Sequence, residues 1–163
     1  MAKRRKISKR RRNLFIIFGV YVLAMLYLLL FMRTGRSFPG TYGEYISSAV
    51  NLIPFKTIVE YASEAAGEKS LTGWAMKNLS GNILLFVPLG FFLPTLWKKQ
   101  RKFKNFTLTV CLSIAAVEAV QLFTMLGRFD IDDLIFNLAG AAIGFGIWKM
   151  KPVINLLRKY KLL

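Results

Sequence analysis

Hydrophobic positions in this chain fall into four long runs. The first, Leu14 to Met32, carries no charge. The second runs from about Leu79 to Trp97 and contains Asn82, Pro88 and Pro94. The third runs from about Phe106 to Leu126 and contains Glu118 and Gln121. The fourth runs from about Ile131 to Met150 and contains Asn137 and several glycines. Each is close to the roughly 20 helical residues that cross a bilayer. The pattern predicts an all-α, polytopic membrane protein with four transmembrane helices. Arg128, Asp130, Asp132 and Asp133 lie in the connection 127–133 between the last two. Polar groups in hydrocarbon are expensive, so the intramembrane polar residues are candidates for function.

Three regions follow. Residues 1–13 form a basic tail, 14–150 the four-helix membrane domain, and 151–163 a second basic tail with amphipathic spacing. Within the domain, 33–78 is an extramembrane segment. Tyr42 to Asn51 and Lys56 to Ala66 have helix-compatible content, separated by Leu52-Ile53-Pro54-Phe55. That arrangement reads as an interfacial or re-entrant helical hairpin, and a re-entrant path requires its backbone to be buried in protein. Gly67 to Gly73 reads as a linker, with Thr72 positioned to cap the next helix. The first run follows a basic stretch, as a signal peptide does, but exceeds the 7–15 apolar residues of a cleaved one. It reads as an uncleaved signal anchor.

Composition sharpens this picture. The chain has 163 residues, 55% of them hydrophobic, and a net charge of +16. Such a charge suits nucleic acid or an anionic membrane. Here the basic residues flank apolar runs, which favours the membrane and excludes nucleic acid. Of 24 Lys and Arg, eighteen lie in 1–13, 98–105 and 149–163, segments without Asp or Glu. Lys and Arg mark cytoplasmic flanks, so both termini are expected in the cytoplasm and 33–78 and 127–133 outside. With one cysteine, Cys111, and no histidine, an intrachain disulfide, His/Cys zinc sites and Ser-His-Asp triads are excluded.

This topology brings Asn82, Glu118, Gln121 and Asn137 to the outer half of the bilayer. Glu118 falls about 12 Å below the outer end of its helix at 1.5 Å per residue. Glu118 and Gln121 share a face, and Asp133, Asn137, Gly140 and Gly144 form one stripe. Gly140 and Gly144 permit close backbone approach. The stripe is expected to face the third helix and Glu118, with Arg128 pairing Glu118 or a loop aspartate. Pro88 is expected to kink the second helix and free the carbonyl near Leu84. Asn82 and Asn137 would serve equally as interhelical hydrogen-bonding residues.

The ordered set Asn51-Leu52-Ile53-Pro54-Phe55, Gly81-Asn82 through Pro88-Leu89-Gly90, Glu118-x-x-Gln121, and Arg128-x-Asp130-x-x-Asp133-x-x-x-Asn137-x-x-Gly140-x-x-x-Gly144 resembles the VanZ-like family of bacterial membrane proteins. The similarity runs from about Asn51 to Gly146. Either Asp132 or Asp133 fills the second acidic position, and spacing to Asn137 favours Asp133. The resemblance implies a multi-pass protein of the bacterial cytoplasmic membrane. It also implies an association with tolerance of teicoplanin, a lipid-tailed glycopeptide. It adds Asn51, Pro54 and Phe55 as supporting motif residues and supplies no reaction.

Three functions compete. The favoured one is a non-catalytic factor that binds a lipid-linked envelope component or lipoglycopeptide from the outer leaflet. Arg128 would meet its phosphate or carboxylate through a bidentate fork, and Asn82, Gln121 and Asn137 would bond its polar groups. A second is an enzyme acting on a lipid headgroup, with Glu118 as acid or base and Asp130 and Asp133 holding a divalent cation. A third is a small transporter or flippase subunit with Glu118 as proton carrier. No cofactor is expected beyond such a cation. The bilayer is the expected partner, and the sequence leaves the oligomeric state open.

Overall fold

The computed structural model describes residues 8–31, 38–65 and 69–163; between 60 and 78, only residue 63 has a described side chain. Helix α1 spans Lys9–Phe31 and α2 spans Tyr42–Ser48. A two-residue strand β1, Val50–Asn51, leads to α3, Lys56–Ala65, and α4, Lys69–Leu96. A 3-10 turn, Lys98–Arg101, precedes α5, Phe103–Phe123. Strand β2, Phe129–Asp130, leads directly into α6, Ile131–Lys149, and α7, Lys151–Lys159, closes the chain. Among the described residues, four helices are long and apolar enough to cross a membrane: Lys9–Phe31, Leu79–Leu96, Phe103–Phe123 and Ile131–Lys149. The all-α polytopic architecture is therefore as expected from hydropathy.

Several boundaries differ. α4 begins at Lys69, about ten residues before its apolar stretch, so Lys69 to Gly73 is helix and Thr72 lies in its first turns instead of capping it. Gly67, the start of the expected linker, lies outside the described residues. α4 continues through Pro88 and Pro94 as one helix. Near Pro88 the Tyr21 hydroxyl donates to the Leu85 carbonyl at 2.7 Å, one residue along from the carbonyl expected to be freed. α5 ends at Phe123, short of the expected Leu126. Met125 adopts φ 57°, and the N–H groups of Leu126 and Gly127 turn back to the Gln121 carbonyl at 2.9 and 3.2 Å. A left-handed residue just past a helix terminates it in this way.

α4 and α6 form the tightest contact in the bundle. A Cβ on Gly140 would lie 2.1 Å from the Ile83 carbonyl oxygen, and one on Gly144 1.9 Å from that of Val87. On α4, a Cβ at Gly90 would meet the Ala141 carbonyl oxygen at 2.0 Å. The glycine stripe thus faces α4, not α5 as the sequence suggested. Lipid tails are as apolar as a protein core, so membrane helices associate through close packing, which glycines on both partners permit here. Phe86, Leu89 and Leu93 of α4, Phe106, Val110 and Ile114 of α5, and Ala141, Phe145 and Trp148 of α6 fill the core. α1 contributes Met25 and Leu29 and leaves most of its surface exposed.

The basic segments gather at one end. Arg11 Nη2 donates to the Leu96 carbonyl at 2.7 Å, and Arg101 Nε to that of Pro94 at 3.1 Å. These cations cover the last carbonyls of α4, where the helix dipole favours positive charge. Burial, then the charges of Arg11 and Arg158, pull the Arg101 pKa below its ordinary value. Arg10 lies 5.5 Å from the ring centroid of Tyr160 after α7, and Leu157 of α7 inserts into the core.

Candidate functional site

The opposite end carries the polar residues singled out from the sequence. β1 and β2 pair in parallel, Val50 with Phe129 and Asn51 with Asp130. This pairing joins the 38–65 segment to the start of α6, across nearly half the chain. Asp130 is the N-cap of α6, accepting from the Asp132 N–H at 2.9 Å. Its carboxylate also accepts from Asn51 Nδ2 at 3.0 Å and from the Thr57 hydroxyl at 2.6 Å. Its own N–H donates to Glu118 Oε2 at 3.1 Å. Glu118 is buried and is five residues from the end of α5, about 7.5 Å along the helix. It is therefore shallower than the 12 Å expected from a longer α5, and the returning connection dips to reach it.

Asp132 and Asp133 belong to the first turn of α6, not to the loop before it. They do different things. Asp132 is 3% exposed and accepts from the N–H groups of Phe55, at 2.5 Å, and Thr57, at 3.0 Å. It caps α3 from outside, because Phe55, at the capping position, has no side-chain acceptor. Asp133 instead accepts from Asn82 Nδ2, the first rung of the α4–α6 contact that Gly140 and Gly144 continue.

Asn137 lies on the same stripe, 2% exposed, and its Oδ1 has no hydrogen-bond partner among the described residues. Gln121 Nε2 donates to the Leu29 carbonyl at 2.8 Å. It ties α5 to α1.

Arg128 departs most from expectation. Its described polar contact is the Ser48 carbonyl at 3.4 Å, and among the described residues no ion pair joins it to Glu118 or the aspartates. It lines a cleft of about 360 Å³ with Phe38, Tyr45, Ser48, Ala49, Met125 and Gly127. Tyr45 donates its hydroxyl to the Gly127 carbonyl and meets Phe38 edge to face, with centroids 5.7 Å apart. Burial pushes the Tyr45 phenol pKa up.

Sequence reasoning gathered Asn82, Glu118, Asp130 and Asp133 at one end of the bundle, and the family resemblance added Asn51; the structure connects Asn51 to Asp130, Asp130 to Glu118, and Asn82 to Asp133. Sequence reasoning held Asp132 only as the alternative to Asp133, and it missed Thr57 and the cleft residue Tyr45. The uncapped start of α3 was the available signal, since Phe55-Lys56 has no local acceptor for the first N–H groups. Among the described residues, no group of three His, Cys, Asp or Glu side chains is arranged to hold a metal ion. The oxygens of Asp130, offered for a cation on sequence grounds, already accept three donors.

Among the described residues, four helices long and apolar enough to cross a membrane, with a helical hairpin packed at one end, define a multi-pass helical membrane protein. The sequence profile of the VanZ/LLP1 family matches residues 18–155, and the chain belongs to that family. No curated protein and no solved structure shows significant similarity to the chain.

Proposed function

We propose that this protein is a non-catalytic envelope factor that binds an anionic, lipid-linked envelope component or a lipid-tailed glycopeptide. Through that binding it contributes to tolerance of teicoplanin-type antibiotics. The observation that carries this reading is Arg128 in its cleft. The cleft has the size of a small-ligand site. Its guanidinium makes one long hydrogen bond to a carbonyl, which leaves donors for a phosphate or carboxylate fork. The carboxylates of Asp130 and Asp132 are spent on backbone and side-chain donors, which favours binding over headgroup chemistry. The basic end would face the cytoplasm by the charge rule, placing the cleft at the outer leaflet of the bacterial cytoplasmic membrane. A Ser47→Cys label in a Cys111→Ala background should react in intact cells; reaction only after permeabilisation reverses the orientation.

Native mass spectrometry of the detergent-purified protein with undecaprenyl phosphate or teicoplanin tests the binding. Retention should be lost in Arg128→Ala and reduced at least tenfold in Arg128→Lys, which keeps the charge and loses the fork. Equal retention by Arg128→Lys, or no retention by the wild type, overturns the reading.

A further inference from the structure

The turn Leu52-Ile53-Pro54-Phe55 projects its side chains away from the protein. Leu52 is 64% exposed, Ile53 62% and Phe55 53%, and Val59 on the next helical turn is 64% exposed. Three large apolar side chains on the turn, with a fourth on the adjoining helix, would be an unusual surface for a loop in water. We infer that this turn is a re-entrant tip immersed among the acyl chains of the leaflet at the Asp130 end.

The backbone carries the argument. Irregular backbone at membrane depth survives only if its polar groups are satisfied by protein, whereas a loop in water can leave them to solvent. From Ile53 to Thr57 every backbone donor has an acceptor within the protein. The Ile53 N–H meets Asn51 Oδ1 at 3.2 Å. Pro54 has no N–H. The Phe55 and Thr57 N–H groups meet the Asp132 carboxylate, and the Lys56 N–H meets the Ile53 carbonyl at 3.3 Å. The Thr57 hydroxyl is taken by Asp130. The Phe55 and Thr57 N–H groups and the Thr57 hydroxyl face inward onto α6, the apolar side chains face out, and the exposed Lys56 beside them has a stem long enough to carry its ammonium to the headgroups.

Depth agrees. The turn hangs from Asp130 and Asp132 at the start of α6, a helix apolar enough to span. Asp130 is held to Glu118, about 7.5 Å inward of the end of α5 by helical rise. Phe55 also adopts φ 63°, a left-handed conformation that residues with a Cβ avoid. The Asp132 hydrogen bond to its N–H holds the backbone there while the ring stays outside. The inference concerns the leaflet at this end of the bundle and holds for either orientation. It is independent of what the Arg128 cleft binds.

The test uses the full chain in phosphatidylglycerol–phosphatidylcholine vesicles, in a Cys111→Ala background. An environment-sensitive fluorophore is placed at Ile53→Cys, with Leu52→Cys as a second tip position and Lys99→Cys as a reference at the basic end. Iodide is present on both sides of the membrane. Tip labels should emit at shorter wavelength than the reference, be quenched by brominated acyl chains and resist iodide. In Asp132→Asn the tip label should become more accessible to iodide while the Lys99 reference is unchanged. Iodide quenching at the tip equal to that at Lys99 overturns the inference and makes the turn a water-exposed loop. Protection from both quenchers overturns it too, since a protein surface would then cover the tip.

Discussion

The carboxylate of Asp132 accepts the backbone N–H of Thr57 at 3.0 Å, across 75 positions of sequence. Through that contact the first turn of α6 caps α3. Asp132→Ala would orphan two partly buried donors, at up to about 1–3 kcal/mol each when no replacement is found. It should lower the unfolding midpoint in detergent clearly more than Asp132→Asn, whose amide oxygen still accepts one of the two N–H groups. Thermal unfolding followed by tryptophan fluorescence is the measurement. Equal loss in both variants would mean that α3 is not anchored through Asp132.

Glycine positions on α6 separate close approach from mere flexibility. Gly144→Ala would drive a methyl into the Val87 carbonyl, 1.9 Å away, and the neighbour is backbone with little room to yield. Overpacking of this kind costs about 1–3 kcal/mol or more. Gly146 sits on the same helix with nothing within 4 Å of its virtual Cβ. There alanine should be neutral or stabilising by up to about 1 kcal/mol through helix propensity. Comparing folded yield and thermal midpoint of the two variants decides it; similar destabilisation by both would place the effect in the helix itself.

The spans, the separation of charge and the glycine stripe were legible because each is written in one stretch of sequence, as hydropathy or i+4 spacing. The partner of the stripe was not. Asp133, Asn137, Gly140 and Gly144 state which face of α6 packs, but only the complementary Gly90 and the carbonyls of Ile83 and Val87 say against what. The β1–β2 pairing was also invisible, since two residues show no periodicity. The adjacent pair Asp132-Asp133 was ambiguous for a related reason. The two carboxylates point to different partners, α3 and α4, and local spacing to Asn137 could indicate one of them only.

Acid should weaken the entry to α2. Glu44 accepts from the Thr41 N–H at 2.7 Å and the Thr41 hydroxyl at 3.0 Å, completing a capping box. These bonds, the backbone one foremost, hold its pKa below its ordinary value. A depressed folded pKa means that the stabilisation is fully present above the unfolded value. It is lost as pH falls through the lowered folded value. Titrating the Thr41 amide shift by NMR should give a midpoint below that of a free glutamate, and Glu44→Gln should remove the transition. A midpoint at or above the free value would show that the box is open in solution.

Glu118 separates a site from a strut. Its Oε2 accepts the Asp130 N–H, so a packing role needs only an acceptor at that point. Glu118→Gln supplies one through its amide oxygen and keeps the side-chain volume. Glu118→Ala removes it and leaves a buried N–H, at a cost of about 1–3 kcal/mol. If Glu118 were only a strut, Gln would restore both stability and function. We expect instead that Glu118→Gln unfolds within about 1 kcal/mol of wild type, on the same reasoning, but loses retention of the anionic amphiphile. Its carboxyl group sits under the connection that carries Arg128, and replacing it by an amide should change the position or field of the cleft. Glu118→Ala should lose stability as well. Wild-type retention by Glu118→Gln would reduce the residue to a hydrogen-bond acceptor and leave Arg128 as the ligand-facing group.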